Sequence, residues 1–148
     1  MKRWLVVSIW PKHSAKLLSG EKTAELRRVR PGVGRGDLVV VYATSPCRAI
    51  VGVLEVEQVV EGEPGALWSQ HGARTGLTRH EYDRYYEGTD VAFAILVSRA
   101  SPLHPPVSLD EVREYIPAFK PPQGYLYIHG DSPTGLALQQ VLGENLQL

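Results

Sequence analysis

Gly20-Glu21-Lys22-Thr23-Ala24-Glu25-Leu26-Arg27-Arg28 is the stretch in which the apolar period of this chain changes from helical to extended. Upstream, Pro11 suits the first turn of a helix, because its ring fixes a helical φ and its missing N–H would have no partner there. Leu17 and Leu18 give that helix an apolar side, and Gly20 suits the left-handed residue that ends it. Beyond the glycine, Ala24 and Leu26 alternate with Thr23, Glu25 and Arg27, which is the two-residue period of a strand. Glu25 and Arg27 are therefore expected on one face, and Ala24 and Leu26 on the other. Lys22 sits at the joint, from which a long cation reaches over the polar face. A carboxylate and two or three cations gathered at one turn suit a polar, anionic ligand. The same charges also fit a solvated strand face with a weak Glu–Arg surface pair, and the residues alone leave both readings open.

Outward from this turn, runs rich in Val, Ile, Leu and Tyr predict strands near 4–9, 23–28, 37–43, 49–60, 90–99 and 125–129. Helices are expected near 11–19, 65–71, 78–86, 108–115 and 133–142. Thr78 with Glu81, and Ser108 with Glu111, have the spacing of capping boxes, and Pro133 after Asp131-Ser132 opens the last helix. Many strands with short helices between them indicate an α+β architecture built on a small mixed barrel. The segment 61–90 reads as a helical excursion between two barrel strands. Its Tyr82, Tyr85 and Tyr86 fit core packing better than a stacking platform. Leu136, Leu138, Val141 and Leu142 give 131–148 an apolar side, so this C-terminal extension is expected to dock on the barrel or on a partner subunit.

The 148 residues predict a single domain over 1–148. No apolar run approaches a membrane span, and Trp4–Trp10 is too short for a signal segment, being stopped by Pro11-Lys12-His13. Cys47 is the only cysteine, which excludes an internal disulfide and a cysteine-based zinc site, and the expected location is cytoplasmic. Net charge is zero but uneven: residues 1–48 hold ten Lys and Arg against three acids, a balance of +7, and the remainder carries −7. Such asymmetry suits a basic face for nucleic acid or nucleotide, unless the halves intermix in space. Gly32-Val33-Gly34-Arg35-Gly36 lacks the lysine of a phosphate-binding loop and the full dinucleotide spacing, so it reads as a turn. The five histidines are scattered without metal-ligand spacing, and no serine-hydrolase elbow occurs. No metal or cofactor is expected.

Gly20, Lys22, Glu25 and Arg27 form a Gly-x-Lys-x-x-Glu-x-Arg pattern after a short helix that opens on Pro11-Lys12. This pattern resembles the signature of the ASCH domain family. The likeness extends to Ser8–Lys12, Gly36–Pro46, Ala49–Val56 and Pro121–Tyr125, and so spans about residues 4–128. It implies a PUA-like β-barrel with helices packed around it, in a group that mostly binds RNA or modified bases in a cleft beside the barrel. Some small members hydrolyse an N4-acylated cytidine with a lysine, a threonine and a glutamate. Their lysine corresponds to Lys22, but Glu25 stands where their threonine falls, and Thr23 is two residues away. By chain order alone, Glu81 and Glu87 are candidates for the glutamate. The matched positions Lys12, Ser45 and Gln123 join the residues expected to line the cleft.

Three roles follow. Lys22, Arg27 and Arg28 could hold phosphate, the arginines through a bidentate fork. Glu25 could accept from a base amino group while Trp10, Tyr42 or Tyr125 stacks on the ring. Lys22 and Glu25 could instead form the catalytic pair of an amidohydrolase or ribonuclease that needs no metal. The leading expectation is recognition of single-stranded RNA, a nucleotide or a modified base in a basic cleft, with translation or transcription control following by analogy of fold. A protein-interaction domain using the C-terminal helix is the remaining alternative.

Overall fold

The computed structural model describes residues 3–143. The elements run β1 (Arg3–Ile9), α1 (Pro11–Ser19), β2 (Ala24–Arg27), β3 (Leu38–Ala43), β4 (Ala49–Gly62), α2 (Pro64–His71), α3 (Arg79–Tyr85), β5 (Ala92–Ser108), α4 (Leu109–Tyr115), β6 (Tyr125–His129) and α5 (Pro133–Leu142). A 3-10 turn at Gly72–Arg74 separates α2 from α3. Residues 144–148 of the expected C-terminal extension, and residues 1–2, lie outside the described residues.

The six strands form one mixed sheet in the order β2-β5-β4-β3-β1-β6. Only β1 and β3 are parallel; the other neighbours are antiparallel. Its end strands are β2 and β6, so the sheet is not closed by a backbone ladder among the described residues. Side chains bridge the two ends instead. The Arg27 guanidinium of β2 lies 5.0 Å from the ring centre of Tyr125 on β6. Beside them, the Tyr127 hydroxyl accepts from Gly32 N–H at 2.8 Å.

Strand alternation divides the core into layers. Leu5, Val7, Val39, Val41, Leu54, Val56, Ile95 and Val97 face the concave interior, where Leu17 of α1 joins them. Trp4, Val6, Leu38, Val40 and Val53 face outward beneath α4 and α5, which bring Leu109, Val112, Leu138 and Leu142. Ala24, Leu26, Ala94 and Leu96 form a third cluster under α2 and α3 with Leu67, Tyr82 and Tyr86. Tyr82 and Tyr86 are thus core residues, in line with the sequence reading.

β5 departs from expectation, because it continues past residue 99 through Pro102, Pro105 and Pro106 to Ser108. Those prolines lie beyond the expected end of the strand near residue 99. β2 pairs only with Phe93–Leu96, so the later half of β5 has one free edge, where a missing N–H costs nothing.

Candidate functional site

Gly20 ends α1 with φ of +83°, and its N–H reaches the Leu17 carbonyl. The chain then turns back: Lys22 N–H bonds to the Lys16 carbonyl at 3.0 Å, and Thr23 N–H to the Arg74 carbonyl at 2.9 Å. This fixes the phase of β2. Glu25 pairs across the ladder with Ile95 of the interior layer, while Ala24 and Leu26 pair with Leu96 and Ala94 of the outer one. Directly opposed residues share a face, so Glu25 and Arg27 project inward as the two-residue period predicts.

Glu25 lies between two cations. Arg27 Nη2 is 2.7 Å from Oε2, and Lys22 Nζ is 3.7 Å from Oε1. Lys22 is only 4% exposed and Glu25 7%, so this is a buried network rather than a surface pair. Gly76 packs against the stem of the lysine. Burial, assisted by Lys16 and Arg27, lowers the Lys22 pKa, and Glu25 only partly opposes it. His13 behaves likewise: burial first, then the Lys22 charge, lowers its pKa, which favours the neutral imidazole. The buried side-chain atoms without a partner are His13 Nδ1, Arg27 Nε and Tyr125 Oη among the described residues, all beside this network.

These residues floor a cavity of about 350 Å³ lined by Ser8, Ile9, Trp10, His13, Lys22, Glu25, Leu26, Arg27, Leu77, Glu81 and Tyr85. A second cavity of about 530 Å³ opens on the far side of Trp10, where Tyr42, Thr44, Ser45, Arg48, Arg113 and Gln123 converge. Ser8 and Trp10 line both. The indole is 71% exposed and stands at the junction. Both cavities therefore sit where the parallel strands β1 and β3 end.

Of the expected site residues, Trp10, Lys22, Glu25 and Arg27 line the first cavity, and Tyr42, Ser45 and Gln123 the second, with Trp10 shared. Three others are placed elsewhere. Lys12 is exposed on α1 and lines neither cavity. The Arg28 guanidinium donates to the Tyr85 and Glu87 carbonyls at 2.7 and 3.0 Å, tying β2 to the end of α3. Tyr125 lies against Arg27 at the strand junction and lines neither cavity. Glu81 does reach the first cavity, but its Oε1 accepts from Thr78 N–H as half of a capping box.

The structure adds residues that the sequence reading passed over. His13 enters the first cavity, and Arg48 and Arg113 the second; Tyr85, expected in the core with Tyr82 and Tyr86, instead is 37% exposed and lines the first cavity. Arg48 has φ of +48°, a left-handed conformation costly for a residue with a Cβ. Its N–H bonds to the Thr44 carbonyl and its carbonyl receives Leu109 N–H, which hold it there. Arg113 is anchored by Nε donating to the Phe119 carbonyl at 3.1 Å. Nothing in a one-dimensional pattern marks either arginine; only the spread of +7 over residues 1–48 included Arg48. Among the described residues no group of three or more His, Cys, Asp or Glu gathers as a metal site. No helix among them is long and apolar enough to cross a membrane.

Residues 7–100 match the ASCH domain family. The chain belongs to that family. A Zymomonas mobilis protein named ASCH domain-containing ribonuclease is 34% identical over 131 residues, 88% of each chain. The crystal structure of ASCH from Zymomonas mobilis covers 93% of this chain and 94% of its own, at 31% identity and a TM-score of 0.85. The large ribosomal subunit protein uL22 of Ureaplasma parvum serovar 3 is 30% identical over 125 residues, 84% of this chain but 39% of that one. The ASCH fold is the PUA-like barrel, which here is completed at its seam by side chains such as Arg27 and Tyr125.

Proposed function

We propose that this chain binds single-stranded RNA across the two cavities and cleaves it at a phosphate held in the second. The observation that carries the reading is the junction itself. An exposed indole separates an apolar-walled cavity with a buried cationic floor from a cavity bearing two anchored arginines. Single-stranded RNA is recognised by stacking splayed bases on aromatic rings and holding phosphates with Arg and Lys. Trp10 supplies the ring, and Arg48 and Arg113 supply guanidinium forks. The relative named a ribonuclease, which matches 88% of each chain, supports the same direction.

Cleavage requires three contributions. A neighbouring 2′-hydroxyl attacks phosphorus and loses its proton, the bond to the 5′-oxygen breaks, and that oxygen gains a proton. Charge accumulates on the phosphoryl oxygens between those events, and preformed cations stabilise it most. In this reading Arg48 and Arg113 stabilise that charge, while the hydroxyls of Tyr42, Thr44 and Ser45, which line the same cavity, relay the 2′-proton to solvent and a proton from solvent to the 5′-oxygen.

The test is a labelled 12-nucleotide RNA, followed for binding by anisotropy and for cleavage on a gel, at several salt concentrations. Arg48→Ala/Arg113→Ala should lower the salt slope by roughly 1.4, about 0.7 per lost phosphate contact on a single strand, and abolish detectable cleavage. RNA binding with an unchanged slope in this variant would remove the second cavity from the reading.

A second reading has one observation behind it. Burial lowers the Lys22 pKa, which makes its amine a better proton acceptor for hydrolysis of an N-acylated nucleoside. Turnover of N4-acylcytidine by wild type, lost in Lys22→Ala, would establish it.

A further inference from the structure

The first cavity has a one-sided inventory of hydrogen-bonding groups. Lys22 carries three N–H donors, is 4% exposed, and has Glu25, at 3.7 Å, as its ion-pair partner among the described residues. Arg27 spends Nη2 on Glu25 and keeps Nε without a partner. Among the acceptors nearby, His13 Nδ1 keeps no partner, and several others are engaged. Glu25 faces a cation with each oxygen, Glu81 Oε1 takes Thr78 N–H, and the Leu26 carbonyl takes the Tyr85 hydroxyl at 2.9 Å. The Ser8 hydroxyl is committed to the Pro122 carbonyl at 2.6 Å. The two cations of the floor thus offer donors, and a ligand edge set against them must bring acceptors. Around that floor stand Ile9, Trp10, Leu26, Leu77 and Tyr85, the lining of a flat ring rather than of a hydrated phosphate. The volume, about 350 Å³, has room for one nucleobase with its sugar at the mouth.

Among the four bases, the edges differ in what they would set against such a floor. Adenine places an amino group beside N7, and uracil offers O4 beside an N–H or a C–H. Cytosine offers N3 and O2, but its amino group lies on the same edge and would meet the same two cations. Guanine alone presents two adjacent acceptors, O6 and N7, on an edge that carries no donor, and this is the edge that Arg and Lys most often read. We propose that the first cavity selects guanine through its O6/N7 edge, read by Lys22 and Arg27 with the ring against Trp10. The inference rests on the single-stranded RNA reading above and names the base that the site takes.

The experiment is calorimetric titration of wild type with the four nucleoside 5′-monophosphates, 7-deaza-GMP and inorganic phosphate, beside anisotropy of a mixed-sequence RNA. GMP should bind about tenfold more tightly than the other three, the size expected of one good base-edge pairing. 7-Deaza-GMP, which lacks the N7 acceptor, should lose most of that advantage. Lys22→Met should bring all four within about twofold. CMP matching GMP, 7-deaza-GMP binding as well as GMP, or phosphate competing as well as GMP would overturn guanine selection while RNA binding stands. Absence of both nucleotide and RNA binding would overturn the selection together with the reading beneath it.

Discussion

Lys22 is an ammonium that water barely reaches, held by one loose ion pair, and it contributes little to the stability of the fold. A buried charge costs several kcal/mol of desolvation, which a partner at 3.7 Å repays only in part. Glu25 is different, because it offsets both Lys22 and Arg27. The two residues should therefore separate in mutagenesis. Lys22→Met should leave stability within about 1 kcal/mol of wild type or raise it, since a hydrophobe replaces the charge and Glu25 keeps Arg27. Glu25→Gln should destabilise by roughly 3 kcal/mol, since it leaves two cations without a counter-charge. Urea unfolding of the two variants would check both. An equal loss in the two would mean that the Lys22–Glu25 contact, rather than Glu25–Arg27, holds the network.

At the scale of elements, α5 approaches β6 more closely than any side chain permits. A Cβ on Gly135 would lie 2.1 Å from the His129 carbonyl oxygen and 2.9 Å from that of Gly130. Both obstacles are backbone, so neither can rotate away. Gly135→Ala gains up to about 1 kcal/mol of helix propensity, but overpacking against a rigid wall costs about 1–3 kcal/mol or more. The net effect should be destabilising, lowering the thermal midpoint by roughly 5 °C, and differential scanning calorimetry would show it. A rise in midpoint would mean that α5 shifts freely and is not seated by this contact. The helix was legible in the sequence through Ser132-Pro133 and its leucines, and Ser132 does accept Gly135 N–H at 3.0 Å. Its close seat on β6 was not, because that depends on a chain reversal at 129–131 that carries no periodic signal.

The whole molecule sums several titrations with opposite signs. His13 has a folded pKa below 6.5, so between that value and 6.5 the unfolded chain holds more protons and stability rises with pH. Lys22 acts the same way between its lowered pKa and 10.5. Burial raises Tyr82 to about 12, and raises Tyr86 and Tyr125 as well. Above pH 10 the unfolded tyrosines ionise while the native ones keep their protons, so stability falls. The urea midpoint should therefore rise through pH 6.5, peak on the alkaline side of neutrality, and decline above pH 10. His13→Gln should flatten the slope below 6.5. A midpoint that climbs steadily beyond pH 10 would contradict the burial of the tyrosines.

Periodicity and turn chemistry determined the elements here. The helix stop at Gly20, the inward Glu25 and Arg27, and five of the six strands followed from residues spaced three or two apart, because those forces act within a few residues of chain. The pattern around Gly20, Lys22, Glu25 and Arg27 also carried the family. Tertiary structure decided what local spacing does not encode. It let β5 run on through three prolines by giving it a free edge. It turned Arg28 into a clamp, set Lys12 aside, and drew Arg48 and Arg113 together from segments 65 residues apart. Burial made the difference at Lys22 as well. The sequence placed a cation beside a carboxylate, but only tertiary packing, with Gly76 against the lysine stem, buried the pair and kept it from being an ordinary surface one.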